Sequence, residues 1–372
     1  MFLTLRSLFL TLLLISFPLL AETPQQPEPK KCLLNRAVID VGSGSTKLLF
    51  ATVNVCEKKI EKVIHQDGIP VPYQESLDAS SNNHIDEQTA EKGKQAIKTL
   101  LERCKAKAPI DEAYGIATAA FRQAKNGHAL LKRIKDELNV SVAIINQEGE
   151  ALLGLLSVER SQTPNTKKPP VVWDIGGGSQ QIITRDANTS LVMLTGSVAT
   201  ETFKKMLIEE LHKKDSSQVT TANPIGNAIN VQLAFEIAHD ILAFPARHAT
   251  TLFSHLDKKP HVVVGIGAVH DTVIKTIRNG TNSYTKKELM SAIEKYAPLN
   301  DGQLMEIAHD THPKFAGNIL SNLILVHAMM DAFNINKVDV QPINASDVLL
   351  VDGLGEKYLM ERIIPITSPT TP

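Results

Sequence analysis

The chain has 372 residues, 43% hydrophobic and 21% charged, with 20 Gly and 19 Pro, which is apolar material for two ordinary domains and excludes a disordered or fibrous protein. Lys+Arg is 39 against Asp+Glu 40, a formal net charge of -1, far from what neutralising the phosphates of a nucleic-acid duplex requires. Three Cys exclude a disulfide scaffold, and no Cys/His spacing resembles a zinc site.

Residues 1–21 carry one charge, Arg6, and an apolar run from Leu8 to Leu20 that ends at Ala21. The run is shorter than the roughly 20 residues that cross a bilayer, so it reads as a cleavable signal peptide followed by a Pro-rich linker over 22–32. An uncleaved anchor is the alternative, because Leu19 is larger than the residue preferred there. Cleavage leaves no stable membrane span and implies an exported protein, periplasmic in a bacterium and otherwise secreted. Export also permits a disulfide. Cys32 and Cys56 lie twelve residues either side of Gly44, so a hairpin turning at Gly44 brings the two thiols together across its open end. Cys104, in a helical stretch, would then be a free, buried thiol; three unreactive thiols are the alternative.

The first hairpin is one copy of a degenerate repeat. Ala37-Val38-Ile39-Asp40-Val41-Gly42-Ser43-Gly44-Ser45 and Val171-Val172-Trp173-Asp174-Ile175-Gly176-Gly177-Gly178-Ser179 lie 134 residues apart. In each, a β-rich run ends at an Asp, a Gly/Ser turn follows, and a second β-rich run begins, Leu48 to Val53 or Gln181 to Thr184. Strand–turn–strand units fit neither a Walker P-loop nor a Rossmann fingerprint, both of which need a helix after the turn. Between the copies the periodicity predicts helices over Asp86–Lys105, His128–Leu138 and Glu150–Arg160, and a strand over Val140–Ile145. Residues 161–170 read as a surface loop and 213–224 as a polar loop. A strand over His261–Val264 runs into Gly265-Ile266-Gly267-Ala268 and a helix, and Phe315–Phe333 is a long apolar helix. The alternation is α/β throughout.

An acid at a strand end beside a Gly/Ser turn can hold a divalent cation while backbone N–H groups converge on an anion. Two such units face to face make a cleft with two acids and two phosphate cradles. Ile39 to Ser45, Ala117-Thr118-Ala119-Ala120-Phe121-Arg122-Gln123-Ala124-Lys125-Asn126 and Asp174 to Ser179 resemble, in order and spacing, the exopolyphosphatase / guanosine pentaphosphate phosphohydrolase (Ppx/GppA) family. The similarity extends through Gly196-Ser197-Val198, Gly265 to Ala268 and Ala316-Gly317 with the helix after it, and so covers nearly all of residues 36 to 358.

The resemblance implies the actin-like ATPase fold, two ribonuclease-H-like domains around a cleft, and removal of terminal phosphates from polyphosphate or guanosine pentaphosphate with Mg²⁺ or another divalent cation. Domain I is expected over 33–153 plus a C-terminal helix at about 355–364, and domain II over 154–354. Short members of the family pair as dimers, which implies a homodimer here. The long members' extra helical domain has no room in this chain, so His239-Asp240 and His309-Asp310 read as surface helix residues. Carried over by position, Asp40 and Asp174 hold the metal, and the amides of Gly42, Ser43, Gly44, Ser45, Gly176, Gly177, Gly178 and Ser179 receive phosphate oxygens. Arg122 clamps a phosphate, and Glu150 is the general base, with Glu148 as the fallback.

Gly44, Ala199 and Gln181 depart from the family pattern. Gln181 stands where the family has Glu and resembles the apyrases; an amide can orient a water or a metal-bound water but cannot take its proton. An apyrase-like nucleoside tri- or diphosphate hydrolase is therefore one alternative, and a non-catalytic phosphate- or nucleotide-binding module is another.

Overall fold

The computed structural model describes residues 31–161, 170–186, 188–214, 223, 230–242, 261–277, 280–307 and 317–353. The expected signal peptide, almost all of the linker, the helix at 355–364, His309-Asp310 and most of the two expected loops lie outside the described residues. All elements below belong to the compact unit that begins at Cys32.

The first half builds a five-stranded sheet. β1 (Leu33–Val41), β2 (Ser45–Asn54) and β3 (Lys59–Pro70) form an antiparallel meander, and β4 (Glu112–Ala117) and β5 (Ser141–Ile144) add parallel to β1, giving the order β3-β2-β1-β4-β5. Between them run α1 (Tyr73–Asp78), α2 (Glu87–Lys105), α3 (Ala119–Gln123) and α4 (Gly127–Leu138). α2 begins where Asp86 accepts a hydrogen bond from the Thr89 N–H, and α4 stops at Asn139 in the left-handed region with φ 55°. Strand alternation splits the burial. Ile39, Val41, Leu48 and Phe50 pack with Ile97 and Leu100 of α2, while Val38, Ala51 and Val53 face the opposite side.

α5 (Gln147–Arg160) crosses to the second half. β6 (Val171–Ile175), β7 (Gln180–Arg185) and β8 (Leu191–Gly196) repeat the meander, followed by α6 (Thr200–His212), α7 (230–242), β9 (Val263–Ile266) and α8 (Gly267–Ile277). β10 (Ser283–Thr285), α9 (Lys286–Tyr296), α10 (Asp301–Ile307), α11 (Ile319–Ala332), β11 (Lys337–Val340) and α12 (Asp347–Asp352) complete the described chain. This sheet reads β10-β11-β9-β6-β7-β8, which is the order of the first sheet with β10 added at one edge. The internal repeat is thus a repeat of topology: two ribonuclease-H-like sheets in the arrangement of the actin-like ATPase fold.

α5 and α12 join the two halves. Leu153 packs with Val38, Leu349 and Leu350 behind the first sheet, whereas Ala151, Leu155 and Val158 pack on Val172, Ile183 and Val264 of the second. Ser157 Oγ accepts the Val348 N–H at 3.1 Å, and Arg160 pairs with Asp352 at 2.7 Å. His239 and Asp240 are exposed on α7.

Cys32 and Cys56 are joined by a disulfide at the open end of the β1–β2 hairpin, where Val55 N–H also donates to Cys32 O at 2.8 Å. Cys104 is buried and free. Because the bridge closes a loop in the unfolded chain, Cys32→Ser is expected to cost about 2–3 kcal/mol. Urea unfolding of oxidised wild type against the variant measures it, and equal midpoints would show that the hairpin needs no tie.

Candidate active site

Both turns are built in the same way. Gly42 N–H donates to Ser45 O at 3.0 Å, and Gly176 N–H donates to Ser179 O at 2.8 Å. Two residues before each turn the register sets Asp40 opposite Lys47 and Asp174 opposite Gln181. The two turns touch. A Cβ added to Gly177 would stand 3.3 Å from Ser43 Cβ, and one added to Gly178 would stand 3.0 Å from Ser43 Oγ and 3.3 Å from Ala119 Cβ. Side chains there would push the turns apart, so glycine is what lets the two halves meet.

One cleft between the sheets is lined by Asp40, Asp174 and Glu150 and by all eight turn residues, Gly42 to Ser45 and Gly176 to Ser179. The amides of Gly42 and Gly176 are taken by the turns' own bonds, which leaves the cradle to the residues that follow them. Glu148 does not line the cleft.

Glu150 reaches it because α5 starts at Gln147, three residues before the expected start. Asn146 caps the helix by accepting the Gly149 N–H at 2.8 Å, which puts Glu150 in the first turn, where the helix dipole favours a negative charge. Arg122 lies behind it. Its Nη1 donates to Glu150 Oε2 and to Ile145 O, both at 2.9 Å, and its Nη2 donates to Ser179 Oγ at 3.1 Å. The fork expected on a phosphate is therefore bound to the candidate base. Gln181 is also behind the cleft wall, 2% exposed, and its Nε2 donates to Ser179 Oγ at 3.2 Å. Ser179 Oγ thus accepts from both.

The charges are those of a site short of positive charge. Burial pushes Asp174 up to about 8, with Glu150 and Asp40 adding to the rise and Lys47 opposing it. Burial likewise raises Asp40 against the pull of Lys47, and raises Glu150 against the pull of Arg122. Asp40 and Asp174 are the carboxylates that could hold a cation. Among the described residues no group of three or more His, Cys, Asp or Glu is arranged to do so. That donor set fits Mg²⁺, which keeps several waters and takes one or two carboxylates together with substrate phosphates.

Several cleft residues were not expected from the sequence. Lys47 could have been found, since it stands seven residues after Asp40 as Gln181 stands seven after Asp174. Thr200 and Glu201 enter because α6 starts against the second turn, their N–H groups donating to Gly176 O and Gly177 O at 3.2 and 2.9 Å. Gly267, at the β9–α8 junction with φ +83°, lies where a Cβ would be 2.4 Å from Asp174 Oδ1.

The fold and this paired-turn cleft define a phosphate-handling class, and the comparisons with known proteins agree. The profile of the Ppx/GppA phosphatase family matches residues 62–355. A bifunctional 3-dehydroquinate synthase/phosphatase of Fusobacterium nucleatum is 31% identical over 150 residues, 39% of this chain and 22% of that protein. A guanosine-5'-triphosphate,3'-diphosphate pyrophosphatase of Pseudoalteromonas atlantica is 28% identical over 169 residues, 45% of this chain and 32% of that protein. The chain therefore spans a third or less of these curated relatives. Two solved structures share the fold: the Aquifex aeolicus PPX-GPPA enzyme, TM-score 0.64 at 19% identity over 86% of this chain and 99% of that one, and an exopolyphosphatase from Cytophaga hutchinsonii, TM-score 0.67 at 17% identity over 86% and 99%.

The chain belongs to the Ppx/GppA phosphatase family. The profile match begins after the first turn, so Asp40 and Gly42 to Ser45 rest on their geometry.

Proposed function

We propose that this chain hydrolyses the terminal phosphoanhydride bond of a polyphosphate or guanosine pentaphosphate-type substrate by direct attack of water. The observation that carries this reading is the meeting of the two acidic turns in one cleft with Glu150 beside them. The terminal phosphate lies between the turns, with Asp40 and Asp174 positioned to hold a divalent cation, Mg²⁺ by the donor set. When bound, such a cation withdraws charge from the phosphate oxygens.

Glu150 takes the proton of the attacking water. Its burial favours accepting one, and the bond from Arg122 holds its carboxylate in place. As the new O–P bond forms, the bond to the leaving oxygen breaks and that oxygen carries the charge away. Lys47, across the strand pair from Asp40, is the cation among the described residues that line the cleft, and it receives that charge. The test is phosphate release with Mg²⁺ from long-chain polyphosphate, guanosine pentaphosphate, ATP and ADP. Release from none of them would replace hydrolysis with binding alone, and release from ATP and ADP only would favour the apyrase-like alternative.

A pH signature follows from Asp174. Its folded pKa of about 8 lies above the ordinary 3.8, so the cation-free fold holds a proton that the unfolded chain loses. The resulting stability is full below the unfolded pKa and is lost as pH rises through the folded one. With chelator present, the Tm is expected to fall between about pH 5 and about pH 8, and saturating Mg²⁺ is expected to flatten the slope. A Tm that is flat with chelator would contradict it.

We also infer export, from the apolar amino-terminal run and from the Cys32–Cys56 disulfide, which suits an oxidising compartment. Fractionation of the source cells tests it; recovery in the reduced cytosolic fraction would overturn it.

A further inference from the structure

A threonine inside a helix can settle its hydroxyl by donating to the carbonyl one turn back. Two buried threonines of α8 do so, Thr272 Oγ1 donating to Ala268 O at 2.7 Å and Thr276 Oγ1 to Thr272 O at 2.8 Å. Thr200 does not. It is the first residue of α6, and the carbonyl four residues back, Gly196 O, belongs to β8 and accepts from Gln147 Nε2 at 3.4 Å. Thr200 is 1% exposed, and its Oγ1 is the one fully buried side-chain polar atom without a hydrogen-bond partner among the described residues that line the cleft.

The backbone around it is held fast. The Thr200 N–H donates to Gly176 O at 3.2 Å and the Glu201 N–H to Gly177 O at 2.9 Å, so the start of α6 is tied to the second turn. Thr202 Oγ1 accepts the Ala199 N–H at 2.8 Å and donates to Ser197 O at 2.6 Å, which fixes the helix start further. Ala199 and Phe203 pack into the core of the second half, whereas Thr200 lines the cleft. Valine has the same shape and would meet the packing, while a buried hydroxyl without a partner destabilises the fold.

The chemistry of the cleft calls for such a donor. Lys47 is the one Lys or Arg among the described residues that line it, against Asp40, Glu150, Asp174 and Glu201, and the fork of Arg122 is taken by Glu150, Ile145 and Ser179. Of the second turn's amides, that of Gly176 is taken by Ser179 O. An anion in this cleft is therefore held largely by neutral, preoriented donors. We propose that Thr200 is a phosphate-binding residue: its hydroxyl, turned about χ1 towards the cleft, donates to an oxygen of the phosphate held against Gly177 to Ser179 and makes up for the Gly176 amide.

The proposal rests on phosphate binding in the Asp40–Asp174 cleft and not on turnover, so its test separates the two. Inorganic phosphate is titrated calorimetrically with saturating Mg²⁺ into wild type, Thr200→Val, Thr200→Ser and Thr200→Ala, and each protein is melted without phosphate. Wild type against Thr200→Val, and Thr200→Ser against Thr200→Ala, differ in the hydroxyl and little else; if one pair does not fold, the other decides. In each pair the hydroxyl is expected to tighten phosphate binding about 10–100-fold, the range for a hydrogen bond to a charged group, without raising the Tm. Equal affinities within a folded pair would overturn the proposal. So would a Tm that falls in both pairs when the hydroxyl is removed, because the hydroxyl would then have its partner inside the protein. Wild type that binds no phosphate refutes Thr200 and the cleft together. Wild type that binds phosphate but releases none from polyphosphate or nucleotides refutes hydrolysis alone, and the affinities still judge Thr200.

Discussion

Glu150→Gln is expected to lower kcat by about 10²–10⁴-fold with little change in KM, the range for losing a positioned general base. The amide keeps the size of the carboxylate and can still accept from Arg122, so the helix start and the cleft wall remain. It loses the ability to take a proton. Steady-state kinetics across pH is the check. The limb of the wild-type profile that reports deprotonation of Glu150 should vanish in the variant, because the amide has no proton to lose, whereas burial holds the Glu150 carboxyl above its ordinary value in the wild type. Arg122→Lys should give an intermediate loss with a displaced limb, since one ammonium cannot reproduce the three bonds that the guanidinium makes to Glu150, Ile145 and Ser179. Full activity in Glu150→Gln would remove the proposed base.

Gly267→Ala carries the second large effect. Gly267 has φ +83°, a region that costs a side-chain-bearing residue about 1–3 kcal/mol, and the new methyl would stand 2.4 Å from Asp174 Oδ1. The carboxylate must move, because β6 holds its backbone in register with β7 and β9. The half-saturating Mg²⁺ concentration is expected to rise by about 10–100-fold, the usual cost of disturbing a group that supports a metal ligand. A Mg²⁺ titration of phosphate release, paired with a thermal melt, separates displaced coordination from lost fold. An unshifted Mg²⁺ dependence in a well-folded variant would argue that Asp174 does not carry the cation.

What was legible in the sequence and what was not divide along physical lines. The duplicated acidic turns were readable because tight strand–turn–strand connections need Gly and Ser at fixed offsets, and that grammar survives divergence. Helix α2 was readable from Asp86 and its periodic apolar face, and α11 from its length and its largely apolar sequence. The start of α5 was set by the Asn146 cap rather than by hydrophobic period, so the expected boundary fell three residues late. Strand β3 escaped because it is an edge strand with an exposed, mixed sequence, and β10 and β11 are too short to show alternation. Among site residues, the binding partner of Arg122 was beyond reach: spacing shows that a guanidinium is near the site, but only coordinates show that Glu150, Ile145 and Ser179 have already taken its donors.

The disulfide has a consequence that reaches the chemistry. Along β1 both faces are apolar and buried, Val38 on one and Ile39 on the other, so hydrophobic pattern does little to forbid a one-residue slip against β2. Such a slip would carry Asp40 to the wrong side of the sheet and away from Lys47. The Cys32–Cys56 link pins the far end of this hairpin like the fixed end of a ruler, so the bond sets the graduation at which Asp40 is read.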